Sequence, residues 1–255
     1  MMRISETVKH LIIINVLMFI GTLFVANGAF YEWFAMYFPK NDLFKPWQII
    51  THMFMHGGGS LENLSITHLL FNMFALWMFG SPVEQVLGSK RFLFIYISAG
   101  LGAVALQVGY YYFQYLPNYN SLIASGLSSD QIHYMLTSTK VLEGVTQAQF
   151  LQLQDMFQVF NASMVGASGC IMGVMAAFAM MNPNAELMLI FLPIPIKAKY
   201  FIPGIIILDL ISGITGQSFF SPSNTAYMAH VGGALTGFFI MWYWKKNQFN
   251  NNRWY

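Results

Sequence analysis

Hydrophobic positions in this chain fall in long runs with almost no internal charge, and the polar positions collect between them. Runs of this kind predict membrane-spanning helices, because about 20 apolar residues cross a bilayer core and only helices or closed barrels satisfy their own backbone there. Six spans are predicted, at about 11–26, 66–80, 92–113, 164–181, 201–214 and 226–244. The first follows Arg3 and Lys9 and is read as a retained helix in preference to a cleaved signal peptide. Either choice puts the next loop on the same face. That loop, 28–64, carries Tyr31, Trp33, Phe34, Tyr37, Phe38 and Trp47, amphipathic residues that settle at a bilayer interface. A short loop at 81–91 ends in Lys90 and Arg91.

Residues 116–162 are polar enough to leave the bilayer. Ser128 with Gln131, and Thr146 with Gln149, form capping-box pairs ahead of amphipathic stretches, so two short helices are expected there, lying on the membrane surface. Between spans four and five, Pro193 and Pro195 rule out a regular helix. The expected fold class is all-α: a polytopic membrane protein of six helices, one domain over residues 1–255, with an extracytoplasmic helical insertion at 116–162.

Composition agrees, since the 255 residues are 56% hydrophobic and only 9% charged, against about a quarter charged in soluble domains. A net charge of +2, with no basic run interleaved with aromatics, gives no reason to expect a nucleic-acid partner. The one cysteine, Cys170, cannot form an internal disulfide. Six spans place Arg3, Lys9, Lys90, Arg91, Lys197, Lys199, Lys245, Lys246 and Arg253 on one side, nine of the twelve basic residues. The positive-inside rule then makes both termini cytoplasmic.

Spans two, four and six all start at the outer face, and their first turns hold the intramembrane polar residues: His68 and Asn72, Ser168, and His230. Each lies about two to six residues past the start of its span, within about 10 Å of the outer boundary at 1.5 Å per residue. Ser168 alone, among small residues, reads as a packing seam. Gly169 with Gly173, and Gly233 with Gly237, are Gly-x-x-x-Gly pairs that let two helices approach closely enough to join Ser168 to His230. A hydroxyl nucleophile, an imidazole base and oxyanion donors are the parts of acyl transfer. No carboxylate is placed at matching depth, so a Ser-His dyad is expected, with no cofactor and no metal.

Trp47 with Gln48, Thr51 with His52, His56, the run from His68 to Asn72, Glu84 with Leu87, Gly88 and Ser89, then Gly166, Ser168 and Gly169, and last Ala229, His230, Gly233 and Gly237, stand in the order of a rhomboid intramembrane serine protease. The chain resembles that family, in its six-span bacterial type, over about 45–244. The resemblance implies Ser168 as nucleophile, His230 as general base, and His68 and Asn72 as oxyanion stabilisers. Gly166, Gly169, Gly173, Gly233 and Gly237 are assigned to helix packing. The implied partners are the lipid bilayer and single-span or polytopic membrane-protein substrates, whose helices enter between spans two and five. The implied location is a bacterial inner (plasma) membrane with the site near its outer face.

The chain departs from the family pattern at Gln48, where arginine is common, at Met172, where some members carry tyrosine, and in long segments at 57–67 and after span three. His52 and His56 are read as making structural hydrogen bonds in preference to binding metal, for want of an acidic residue between them. Asp209, an isolated acid in span five, is read as neutral or locally hydrogen-bonded and not as part of an ion path. The functional alternative is an inactive rhomboid-like protein that binds transmembrane helices.

Overall fold

The structure, a computed structural model, describes residues 3–25, 29–57, 66–189, 192–222 and 225–248. The expected long segment at 57–67 lies almost wholly outside them. Helix α1 (Glu6–Phe24) starts at Ser5, and its first turn is closed by a residue far along the chain. The Glu84 carboxylate accepts Thr7 N–H at 3.0 Å and Val8 N–H at 3.1 Å, along with the hydroxyls of Ser5 and of Ser89, the latter at 2.7 Å. An anion at a helix N-terminus satisfies unpaired donors and complements the helix dipole. Glu84 thereby pins α1 against the second span. Glu84→Ala leaves those donors unpaired and is expected to cost about 1.5–3 kcal/mol, read as an earlier unfolding midpoint in detergent; an unchanged midpoint would contradict this role.

After the short α2 (Ala29–Phe34) and α3 (Gln48–Thr51), the second span is broken: helix α4 (Ile66–Ala75) passes through a π turn, Leu76–Gly80, into α5 (Ser81–Leu87). The expected loop at 81–91 is therefore helical up to Leu87, and the break shrinks to Gly88. The π turn loosens the backbone ladder just ahead of Pro82, which cannot donate to it. Helix α6 (Ser89–Ala124) is also longer than expected. Its 36 residues extend about 54 Å, well past a hydrocarbon core of about 30 Å.

The surplus of α6 has its own cover. Helices α7 (Ser129–Ser138) and α8 (Gln147–Phe160) begin at the two capping boxes, both of which form. They pack on the end of α6 around Tyr115, Leu122, Ile132, Leu136, Met156 and Phe160. Part of their apolar surface is buried in this second core, while Tyr134, Phe150 and Leu151 stay exposed. Strand β1 (Met36–Tyr37) pairs antiparallel with β2 (Ser163–Met164), joining the loop after α1 to the segment ahead of the fourth span.

Helix α9 (Ser168–Met181) is only 14 residues long, about 21 Å. Every residue from 169 to 179 is buried, so α9 is the central helix of the bundle. Prolines 193 and 195 fall in a hairpin of β3 (Glu186–Leu189) and β4 (Leu192–Lys197), in line with the exclusion of helix there. Helices α10 (Ala198–Thr215) and α11 (Tyr227–Gln248) complete the bundle, and α6, α9 and α11 pack most extensively on one another. Among the described residues four helical runs, α1, α4 to α5, α6 and α10, are long and apolar enough to cross a membrane; α9 is a shorter apolar helix. The protein is a helical membrane bundle.

Candidate active site

Ser168 opens α9 directly after a strained turn. Gly166 has φ +124, and a Cβ there would stand 3.0 Å from His68 Cε1, 3.1 Å from His68 Nε2 and 3.7 Å from Ser168 Oγ. Only glycine suits both the backbone and the space. Gly166, expected in helix packing, instead precedes α9 and shapes the turn that presents the hydroxyl. Its N–H donates to His52 O at 3.0 Å, and His52 Nδ1 lies 2.8 Å from Gln48 O. Burial pushes His52 down to about 4, so it stays neutral and suited to this enclosed position.

Gln48 itself is fully buried. Its Nε2 donates to Glu32 O at 2.9 Å and Leu43 O at 3.0 Å, while its Oε1 accepts Lys45 N–H at 3.0 Å. At this position, where the family commonly has arginine, the carboxamide hydrogen-bonds the loop on its own. An uncharged side chain closes this loop without a buried cation needing a counter-charge.

The glycine seam brings Ser168 and His230 together. A Cβ at Gly233 would stand 2.0 Å from Gly169 O, one at Gly237 2.2 Å from Gly173 O, and one at Gly173 2.8 Å from Gly233 O. Backbones of α9 and α11 are thus in direct contact, as small residues allow. Across the top of this seam Ser168 Oγ lies 2.9 Å from His230 Nε2. Gln107 Oε1, on α6, accepts Ala229 N–H at 3.1 Å and braces the first turn of α11 beside His230. Nothing in the sequence reading singled out Gln107, although an amide in the middle of an apolar span needs a partner.

One expectation is overturned. His230 Nδ1 lies 2.7 Å from Asp209 Oδ2, so a carboxylate does reach the imidazole. Spans two, four and six were measured from their first residues, but α10 runs in the opposite direction. Counted from Thr215, its C-terminal end, Asp209 is six residues in, about 9 Å, level with the other polar groups. Local hydrogen bonding of Asp209, the other half of that expectation, is what the structure shows.

On the far side of the turn, His68 lies against Gly166, and its ring centroid is 5.2 Å from that of His56. Burial pushes His56 down to about 3, and neither of its ring nitrogens has a hydrogen-bond partner among the described residues, so the structural hydrogen bonding expected of the pair is made by His52 and not by His56. Asn72 is buried one helical turn beyond His68, and its Nδ2 donates to His68 O at 2.8 Å. That leaves the amide a second N–H. Met172 is buried in the bundle core. A cleft of about 200 Å³ borders the first turn of α11, lined by Gln107, Tyr111, Ser163, Thr225 and Met228 among others.

A family model for the rhomboid domain matches residues 43–247. Presenilin-associated rhomboid-like protein, mitochondrial, of Mus musculus is 28% identical over 195 residues, 74% of this chain and 39% of that protein. Rhomboid protein 1, mitochondrial, of Saccharomyces cerevisiae is 24% identical over 189 residues, 74% of this chain and 41% of that one. Rhomboid protease GluP of Bacillus subtilis is 43% identical over 60 residues, 23% of this chain and 10% of that one. The chain matches about two-fifths of the length of the first two relatives.

Proposed function

Because the chain belongs to the rhomboid family, matched over residues 43–247, we propose that it is an intramembrane serine endopeptidase that hydrolyses peptide bonds in or near the transmembrane helices of membrane proteins. The observation that carries this reading is the 2.9 Å contact between Ser168 Oγ and His230 Nε2 at the head of a buried helix. With Nδ1–H donating to Asp209, Nε2 is left as the acceptor for the serine proton. Ser168 Oγ attacks the scissile carbonyl while His230 takes its proton. The oxyanion is received by the unpaired N–H groups at the start of α9, with His68 and Asn72 as side-chain donors. Collapse breaks the C–N bond, His230 returns the proton to the leaving amine, and an acyl-enzyme remains. Water, activated by His230, then attacks the acyl carbonyl, releases the acid and frees Ser168.

Substrate helices are assigned to the side of the bundle between α4 and α10, which do not pack appreciably on one another among the described residues. The membrane is proposed to be a bacterial plasma membrane with cytoplasmic termini, supported by the basic residues gathered on that side. Assembly of Ser168 and His230 at hydrogen-bonding distance favours the protease over a non-cutting binder of transmembrane helices. Purified protein in liposomes with a single-span substrate is the test. Products cut near the outer end of the span are expected, whereas stable substrate binding with no cleavage would establish the alternative.

A further inference from the structure

We propose that Asp209 is a positioning residue for His230, making a Ser168–His230–Asp209 line whose third member is supplied by α10; this rests on the reading of Ser168 as nucleophile. Asp209 is fully buried, and His230 is 12% exposed. A buried carboxylate in a membrane span is one of the costliest groups a helix can carry, so its contacts indicate what retains it. Its Oδ2 meets His230 Nδ1 at 2.7 Å, while its Oδ1 has no hydrogen-bond partner among the described residues. A carboxylate serving only to join helices is expected to have both oxygens satisfied. Here the polar contact is made with the imidazole alone.

The approach of α10 to α11 is fixed at this level. Gly213, one turn from Asp209, packs so closely that a Cβ would stand 2.8 Å from Met228 Cε. Tyr110, on α6, donates its hydroxyl to Gly213 O at 2.8 Å. These contacts hold α10 where Oδ2 can receive Nδ1–H, and that bond fixes the tautomer and ring angle that aim Nε2 at Ser168. During attack the serine proton moves to Nε2, the imidazolium lies between alkoxide and carboxylate, and Asp209 takes up no proton. The proton leaves on the amine.

Asp209→Ala removes both the acceptor and the charge, and lowers kcat about 10²- to 10⁴-fold with KM unchanged. Asp209→Asn is isosteric and, because Oδ1 has no donor to satisfy among the described residues, its carboxamide can turn its oxygen toward Nδ1. It keeps the tautomer, loses the charge, and falls less. Three quantities are measured for each variant in liposomes: cleavage kinetics, the rate at which a fluorophosphonate labels Ser168, and the thermal unfolding midpoint. Labelling is expected to slow in the same order as kcat at a near-constant midpoint for Asp209→Asn. Wild-type kcat in both variants, or a loss confined to KM or folded fraction with unchanged labelling per folded molecule, overturns the proposal. Ser168→Ala is run in parallel: if it is inactive while both Asp209 variants cleave normally, only this inference fails, and if it cleaves, the protease reading fails.

Discussion

Ser168→Ala and His230→Ala are each expected to lower cleavage of a membrane-embedded substrate by roughly 10⁴- to 10⁶-fold. Without the hydroxyl no acyl-enzyme forms; without the imidazole, 2.9 Å away, the hydroxyl is a poor nucleophile at neutral pH. Asn72→Ala should be milder, about 10²- to 10³-fold, the usual loss for one oxyanion donor when others remain. Substrate affinity should change little in all three, because the docking surface is assigned to α4 and α10. Binding and cleavage measured side by side in liposomes separate the two effects. Ser168→Ala that cleaves at the wild-type rate in a preparation free of other proteases would remove the hydroxyl from the mechanism.

The second large effect comes from the seam. Gly233→Val places a Cβ where Gly169 O is only 2.0 Å away, and the obstacle is backbone that no rotamer change can move. Restoring ordinary contact requires α9 and α11 to part by more than about 1 Å, which takes a 2.9 Å hydrogen bond out of range. Overpacking of this kind costs about 1–3 kcal/mol in stability, and the displaced base should reduce cleavage by about 10²-fold or more. Gly109→Ala is the control, since a Cβ there meets nothing within 4 Å. Cleavage and detergent unfolding are expected to be unaffected in the control and impaired in Gly233→Val. A Gly233→Val protein that folds and cleaves like wild type would show that close approach of these backbones is not what assembles the site.

Much of this was legible in the chain because a bilayer constrains sequence so strongly. Apolar runs marked the spans, the Gly-x-x-x-Gly pairs marked the α9–α11 seam, and paired capping residues marked the starts of α7 and α8. Ser168 and His230 were found by assuming that helices starting at one face place their first turns at one depth. The same assumption hid Asp209, because depth in an oppositely directed helix has to be counted from its end. Gly166 was misassigned for a different reason: a φ of +124 is a property of the backbone that residue type permits without announcing. The length of α6 escaped because polarity reports where a chain leaves lipid, while a helix continues for as long as something packs on it. The brace from Gln107 to Ala229 N–H and the closing of the loop by Gln48 are long-range amide contacts with no local pattern.

The most direct measurement is mass-spectrometric mapping of the covalent adduct formed when the protein in liposomes is treated with a fluorophosphonate. A serine whose proton is taken by an adjacent imidazole as it attacks displaces fluoride from phosphorus readily, and an ordinary buried hydroxyl does not. The account predicts one adduct, on Ser168, which disappears in His230→Ala while the fold is retained. Absence of labelling in protein that cleaves its substrate, or an adduct on another serine that persists in His230→Ala, would contradict it.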